Sequence, residues 1–165
     1  MATVGDRQPL VVRSDGGEQV PFIGSLRASA AETGEAFEVI EYVGPATPPP
    51  HVHRDHDEAF WILEGSFRFI LGRETAKAPK RALVFVARGT RHGFSVEPGS
   101  RALLFTIPAG LAGFFRELGA GLAAGKSGTE IRAALAGKYD SHPDSAEPWV
   151  AAGCLGQASP RFRVR

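Results

Sequence analysis

Histidine is scarce in this chain, five in 165 residues, yet three of the five fall between His51 and His56 and a fourth is His92. Such uneven use of a rare metal-ligating side chain is the first pointer to chemistry. The segment reads His51-Val-His53-Arg-Asp-His56-Asp-Glu58. In extended backbone, residues two apart point the same way, so His51 and His53 present two imidazoles to one side. Glu58 follows a short turn and opens the next strand, which can return its carboxylate to the same point. His92 starts a strand just after Arg88-Gly89-Thr90, and antiparallel pairing can set it opposite His51 and His53. Three neutral imidazoles and a carboxylate suit one divalent transition metal: iron, manganese, nickel, cobalt or zinc. His56 sits in the turn and is the spare ligand if Glu58 is displaced.

Such a cluster needs strands to hold it. Residues 35–43 have strand composition, with apolar side chains on both parities. Four prolines in residues 44–50 then remove backbone donors and end the regular pairing. The run Pro48-Pro49-Pro50 reads as a stiff lead-in to His51. Residues 58–63 and 66–71 read as a hairpin turning at Glu64-Gly65. Residues 72–81 read as a polar connection, and 82–86, 91–96 and 101–107 as further strands. A short apolar stretch at 10–12 and a short strand at 19–23 precede them. After Pro108 the period changes: Leu111, Phe114, Phe115, Leu118 and Leu122 have the spacing of an amphipathic helix over 110–124. A second short helix is expected over 129–136.

Many short strands at close spacing argue an all-β sandwich or barrel, with the helices outside it or over one mouth. The expected organisation is an N-terminal arm with strands (1–30), a barrel core (31–108), C-terminal helices (109–137) and a loose tail (138–165) pinned by Trp149 or Phe162. The run Ala59-Phe60-Trp61-Ile62-Leu63 is apolar on both parities and asks for a second layer outside the sheet. A second copy of the chain, hence a homodimer, is the expected source.

The balance of 19 Lys and Arg against 18 Asp and Glu leaves no basic footprint for nucleic acid. No apolar run approaches the roughly 20 residues of a membrane span. Residues 1–8 lack the apolar core of a signal peptide, and a lone Cys154 excludes a disulfide framework and a cysteine-built zinc site. A cytoplasmic protein is the expectation. The preference for arginine over lysine and the absence of asparagine point to a GC-rich bacterial source.

The pattern resembles the cupin superfamily. The first cupin motif places a His-x-His pair, then a glutamate after three or four residues, then a glycine after six more. His51, His53, Glu58 and Gly65 match it position for position, while Gly44 lies one residue too far upstream. In the second motif Gly89 and His92 match. Ala87 replaces a proline, Val96 an asparagine, and Arg81 stands near the expected first glycine. The likeness runs over about residues 36–107 and extends to Leu118 in the manner of single cupins labelled quercetin 2,3-dioxygenase-like. It implies an antiparallel jelly-roll β-barrel with one or two C-terminal helices, and a metal held by His51, His53, Glu58 and His92. It further implies a dioxygenase that binds a flavonol-like or other aromatic enol or catechol, takes the hydroxyl proton on Glu58 and consumes O2. By parity with Glu58 and His92, Phe60, Ile62 and Phe94 would line the substrate pocket, and Phe114 and Phe115 would close its mouth. Two alternatives remain: a non-oxidative isomerase, cyclase or decarboxylase using the same metal, and a non-catalytic small-molecule binder.

Overall fold

The structure, a computed structural model, describes residues 8–44 and 47–144, so Trp149, Cys154 and Phe162 lie outside the described residues. The chain runs β1 (Glu18–Val20), β2 (Gly24–Ala28), α1 (Ala30–Thr33), β3 (Glu38–Tyr42), β4 (His51–Val52), β5 (Asp57–Glu64), β6 (Ser66–Leu71) and β7 (Glu74–Pro79). It continues through β8 (Leu83–Val86), β9 (His92–Val96), β10 (Arg101–Ile107), α2 (Ala112–Ala123), α3 (Gly128–Leu135) and β11 (His142–Pro143). One sheet has the order β1-β2-β3-β10-β5-β8 and the other β11-β4-β9-β6-β7. Their strand pairs are antiparallel. The result is the jelly-roll barrel that the strand pattern and the family resemblance imply.

Alternation along each strand builds the core. Phe60 and Ile62 on β5, Phe67 and Phe69 on β6 and Ile40 on β3 are fully buried between the sheets. Their outward neighbours make a different surface: Trp61, Leu83 and Phe85 are 39%, 63% and 59% exposed. The β5–β6 hairpin turns on Gly65 at φ 65°, where an added Cβ would lie 2.1 Å from Ser100 Oγ. That hydroxyl takes the Ser66 N–H at 3.0 Å, so the turn is locked from a third segment.

The two helices stand where the period places them, and α2 is aimed by a residue from the sheet. Glu38 is buried on β3, and its Oε2 accepts the backbone N–H groups of Gly110, Leu111 and Ala112 at 3.0, 2.9 and 2.8 Å. Those are the orphan donors of a helix start, and a carboxylate there also meets the positive end of the helix dipole. Buried Phe114, Phe115 and Leu118 then face the barrel side. In α3, Ser127 Oγ accepts the Glu130 N–H at 3.2 Å and Glu130 Oε2 accepts the Ser127 N–H at 3.3 Å, a reciprocal cap.

Three expectations are corrected. Residues 72–81, read as a connection, contain β7, which pairs with β6 from Ser66↔Pro79 to Leu71↔Glu74. As an edge strand it buries only Ala78, so its sequence carries little apolar alternation. Residues 19–23, expected to be a strand, pair only as far as Val20 in β1 and then turn. Residues 138–144, expected to begin a loose tail, fold back on the barrel: β11 pairs with β4 through His142↔Val52 and Pro143↔His51. No helix among the described residues is long and apolar enough to cross a membrane.

Candidate metal centre

His51 on β4 and His92 on β9 are directly opposite in the register. His53 follows as the chain leaves β4, and Glu58 is the second residue of β5, set between Thr106 and Val86 of its neighbours. The lead-in is fixed by contact: a Cβ on Gly93 would sit 3.1 Å from Pro48 O and 3.2 Å from Pro50 N, so the proline run lies tight on β9. All four candidate ligands are buried, His92 to 1% exposure. One ligand atom from each lies within 4.8 Å of the others, and the three imidazole centroids are 4.4, 4.8 and 5.1 Å apart.

Each ring is oriented by the main chain. Nδ1–H of His51 donates to Pro49 O at 2.9 Å, that of His92 to Thr90 O at 2.8 Å, and that of His53 to Asp140 O. A neutral ring bonded this way keeps its lone pair on Nε2. His53 Nε2 faces Glu58 Oε1 at 3.3 Å, and His92 Nε2 faces Glu58 Oε2 at 3.1 Å. His53 Nε2 is buried without a hydrogen-bond partner. Imidazole lone pairs aimed at a carboxylate repel unless a proton or a cation stands between them. The donor set and the carbonyl-held rings fit a divalent transition metal.

The electrostatics follow from this crowding. Burial, then the neighbouring His92 and His53, pushes His51 down to about 3, so that ring is neutral at pH 7. Burial also works to lower His53, but the carboxylate of Glu58 facing it carries it above its ordinary value. Burial works to raise Glu58, yet the facing His53 and His92 rings hold its carboxyl well below the usual range. Glu58 is thus an anion awaiting positive charge.

His56 is not brought into this cluster. Its Nδ1–H donates to Asp140 Oδ2 at 2.8 Å. Asp140 is the residue that sequence reasoning missed. Its carboxylate also accepts the backbone N–H groups of Arg54, Asp55 and His56 at 2.8, 2.7 and 3.1 Å, while its carbonyl holds His53. Burial works to raise its carboxyl, but these hydrogen bonds bring it down to about 2. One residue therefore staples the turn between His53 and Glu58. Arg91 ties the same segment down through Asp144, and Arg88 pairs with Asp57 at 3.0 Å.

A cavity of about 20 Å³ adjoins His51, His53 and Glu58. That is room for about one water. Phe94, Phe114 and Phe115 line it, together with Tyr42, Leu104 and Arg132. Phe60 and Ile62 do not. They point inward like Glu58, but each two-residue step moves roughly 7 Å along the strand. Phe60 is therefore spent on packing against Phe69 and Phe94, at 4.9 and 5.3 Å between centroids. Tyr42 and Arg132 had no sequence signal, because one looks like a strand aromatic and the other like a charge on a surface helix.

Comparison with known proteins bears on the family and the fold. Residues 38–108 match the family described as Cupin domain. The quercetin 2,3-dioxygenase of Bacillus subtilis is 24% identical over 120 residues, covering 69% of this chain and 36% of that protein. The chain thus spans about a third of that relative's length. Among solved structures, the Streptomyces nucleoside dehydratase Pac13 is similar at a TM-score of 0.51 and 14% identity, over 62% of this chain and 85% of that one. The polyketide cyclase RemF of Streptomyces resistomycificus is similar at 0.48 and 23% identity, over 62% and 79%.

Proposed function

We propose, for a chain whose residues 38–108 are a cupin domain, that it is a cytoplasmic metal-dependent dioxygenase acting on a small aromatic enol or catechol-like molecule. The observation that carries this reading is the buried convergence of His51, His53, His92 and Glu58, with the rings turned by backbone carbonyls so that Nε2 points inward. When bound by these four residues, a divalent metal supplies a Lewis acid that lowers the pKa of a substrate hydroxyl. Glu58 accepts that proton on a carboxylate oxygen. Phe94, Phe114 and Phe115 keep water out and offer ring faces to an aromatic substrate. The similarity to a quercetin dioxygenase favours oxygen as co-substrate.

Metal analysis of the purified protein, followed by an oxygen electrode with quercetin and simple catechols as probes, tests the reading. Near-stoichiometric metal and oxygen uptake that follows substrate loss are expected. No metal uptake from any of the five divalent ions would sink it. A second reading has its own support: Glu58 lies between two imidazoles, placed for proton transfer whether or not oxygen takes part. Turnover of a substrate under argon would establish the non-oxidative isomerase, cyclase or decarboxylase instead. The exposed Trp61, Leu83 and Phe85 favour a homodimer through the outer face of the six-stranded sheet. Light scattering that gives a dimer for wild type and a monomer for Trp61→Glu is the expected result.

A further inference from the structure

Arg132 on α3 differs from every other arginine among the described residues. Arg27, Arg88, Arg91, Arg101 and Arg116 each reach a carboxylate. Arg13, Arg54, Arg68, Arg73 and Arg81 are exposed to water. Arg132 is half-buried, and what its guanidinium meets is the Phe114 ring, 5.5 Å from the centroid. It borders the same cavity as His51, His53 and Glu58. Burial lowers its pKa, with Tyr42 opposing. A cation withdrawn from water without an anion carries a desolvation cost that an arriving anion offsets. The planar fork of a guanidinium matches a carboxylate, and a single positive group suits a single negative charge. Away from Tyr42, Ser141 and the histidine–glutamate cluster the walls are apolar, with Ile23, Leu104, Leu111, Phe114 and Phe115 among them.

We infer that Arg132 is the substrate-binding residue for a carboxylate, and that the substrate is a small apolar or aromatic monocarboxylic acid. Its acid group lies on Arg132 and its reacting oxygen lies toward Glu58. This rests on the reading of the histidine–glutamate cluster as the active centre, and it narrows the substrate from a flavonol to a single-ring acid. The narrow cavity agrees: even one ring must push Phe114 or Phe115 aside, and three fused or linked rings would need far more.

Calorimetric titration of the full-length protein, metal-free and metal-loaded, with benzoate and with neutral benzamide is the test. In wild type, benzoate binds at least tenfold tighter than benzamide in both forms. Arg132→Gln removes that preference without changing the benzamide affinity or the metal content, and Arg132→Lys restores part of it. Benzoate that binds wild type no better than benzamide overturns the inference. So does equal loss of both probes in Arg132→Gln, which makes Arg132 a packing residue, and so does a preference that survives that substitution. A benzoate preference that depends on Arg132 in a protein that takes up no metal keeps the inference and removes the metal reading. Metal uptake without the preference does the reverse.

Discussion

The same strands carry two kinds of interior. Along β5 the inward residues run Glu58, Phe60, Ile62, and along β9 they run His92, then Phe94. One end of the barrel gathers nitrogen and oxygen donors around a small gap. The other is filled by Phe60, Phe67 and Phe69, and Phe94 stands between the two, lining the gap while its centroid lies 5.3 to 5.8 Å from those three rings. A one-step change of residue type on an unchanged backbone separates a region that holds the fold from a region that keeps charge out of water. The aromatic end stabilises by burial. The polar end is held against its own repulsion by bonds from Pro49, Thr90 and Asp140.

That division predicts how the ends should come apart. The largest effect is expected for His92→Ala, which should abolish stoichiometric metal in elemental analysis while the far-ultraviolet circular dichroism stays native. Retained metal would break the assignment of the polar end. Phe60→Ala should do the opposite. It should lose about 3–5 kcal/mol of stability in urea unfolding, from a cavity among packed rings, and keep its metal below the transition. If it lost metal as His92→Ala does, the two ends would not be separable. Asp140→Ala keeps the carbonyl that holds His53 but removes the staple on residues 54–56. Competition with a chelator should show metal binding weaker by about tenfold. An unchanged affinity would show that the carbonyl alone positions the ring.

The smallest effect is on acid stability of the metal-free protein between pH 6.5 and 4.5. The folded pKa of His51, about 3, lies below its ordinary 6.5, so the unfolded chain binds that proton first. Its contribution is present above 6.5 and falls with pH by up to about 1.4 kcal/mol per unit. His53 is shifted upward and works the other way, adding stability below 6.5. His51→Gln should therefore unfold with less acid dependence than wild type over this window. An identical pH slope for the two proteins would exclude His51 as the source.

What the sequence disclosed was whatever repeats at short range. The two-residue spacing of His51 and His53, the hairpin around Gly65 and the face of α2 could all be read locally. The turns before residues 58 and 92 pointed to Glu58 and His92, and the cupin likeness matched both. What stayed hidden acts across the chain. Glu38 starts a helix more than seventy residues away, and Asp140 orients a ring 87 residues before it. Glu38 bonds only to residues far along the chain, and the one local partner of Asp140, His142 at 3.1 Å, gives no sign of the turn it staples. Phe60 and Ile62 show a second limit: strand parity gives the direction of a side chain but not its depth along the barrel. Edge strand β7, which has no large apolar residue, shows a third.

The carbonyl that orients His53 belongs to residue 140, beyond both C-terminal helices. On the ribosome, the histidines and glutamate emerge long before that residue does. A partly made chain can pair β4 with β9, yet one ring stays free to turn until the segment through Asp140 has left the exit tunnel and docked. Assembly of the cluster is thus a late event in the life of the polypeptide, completed only when its last orienting bond forms.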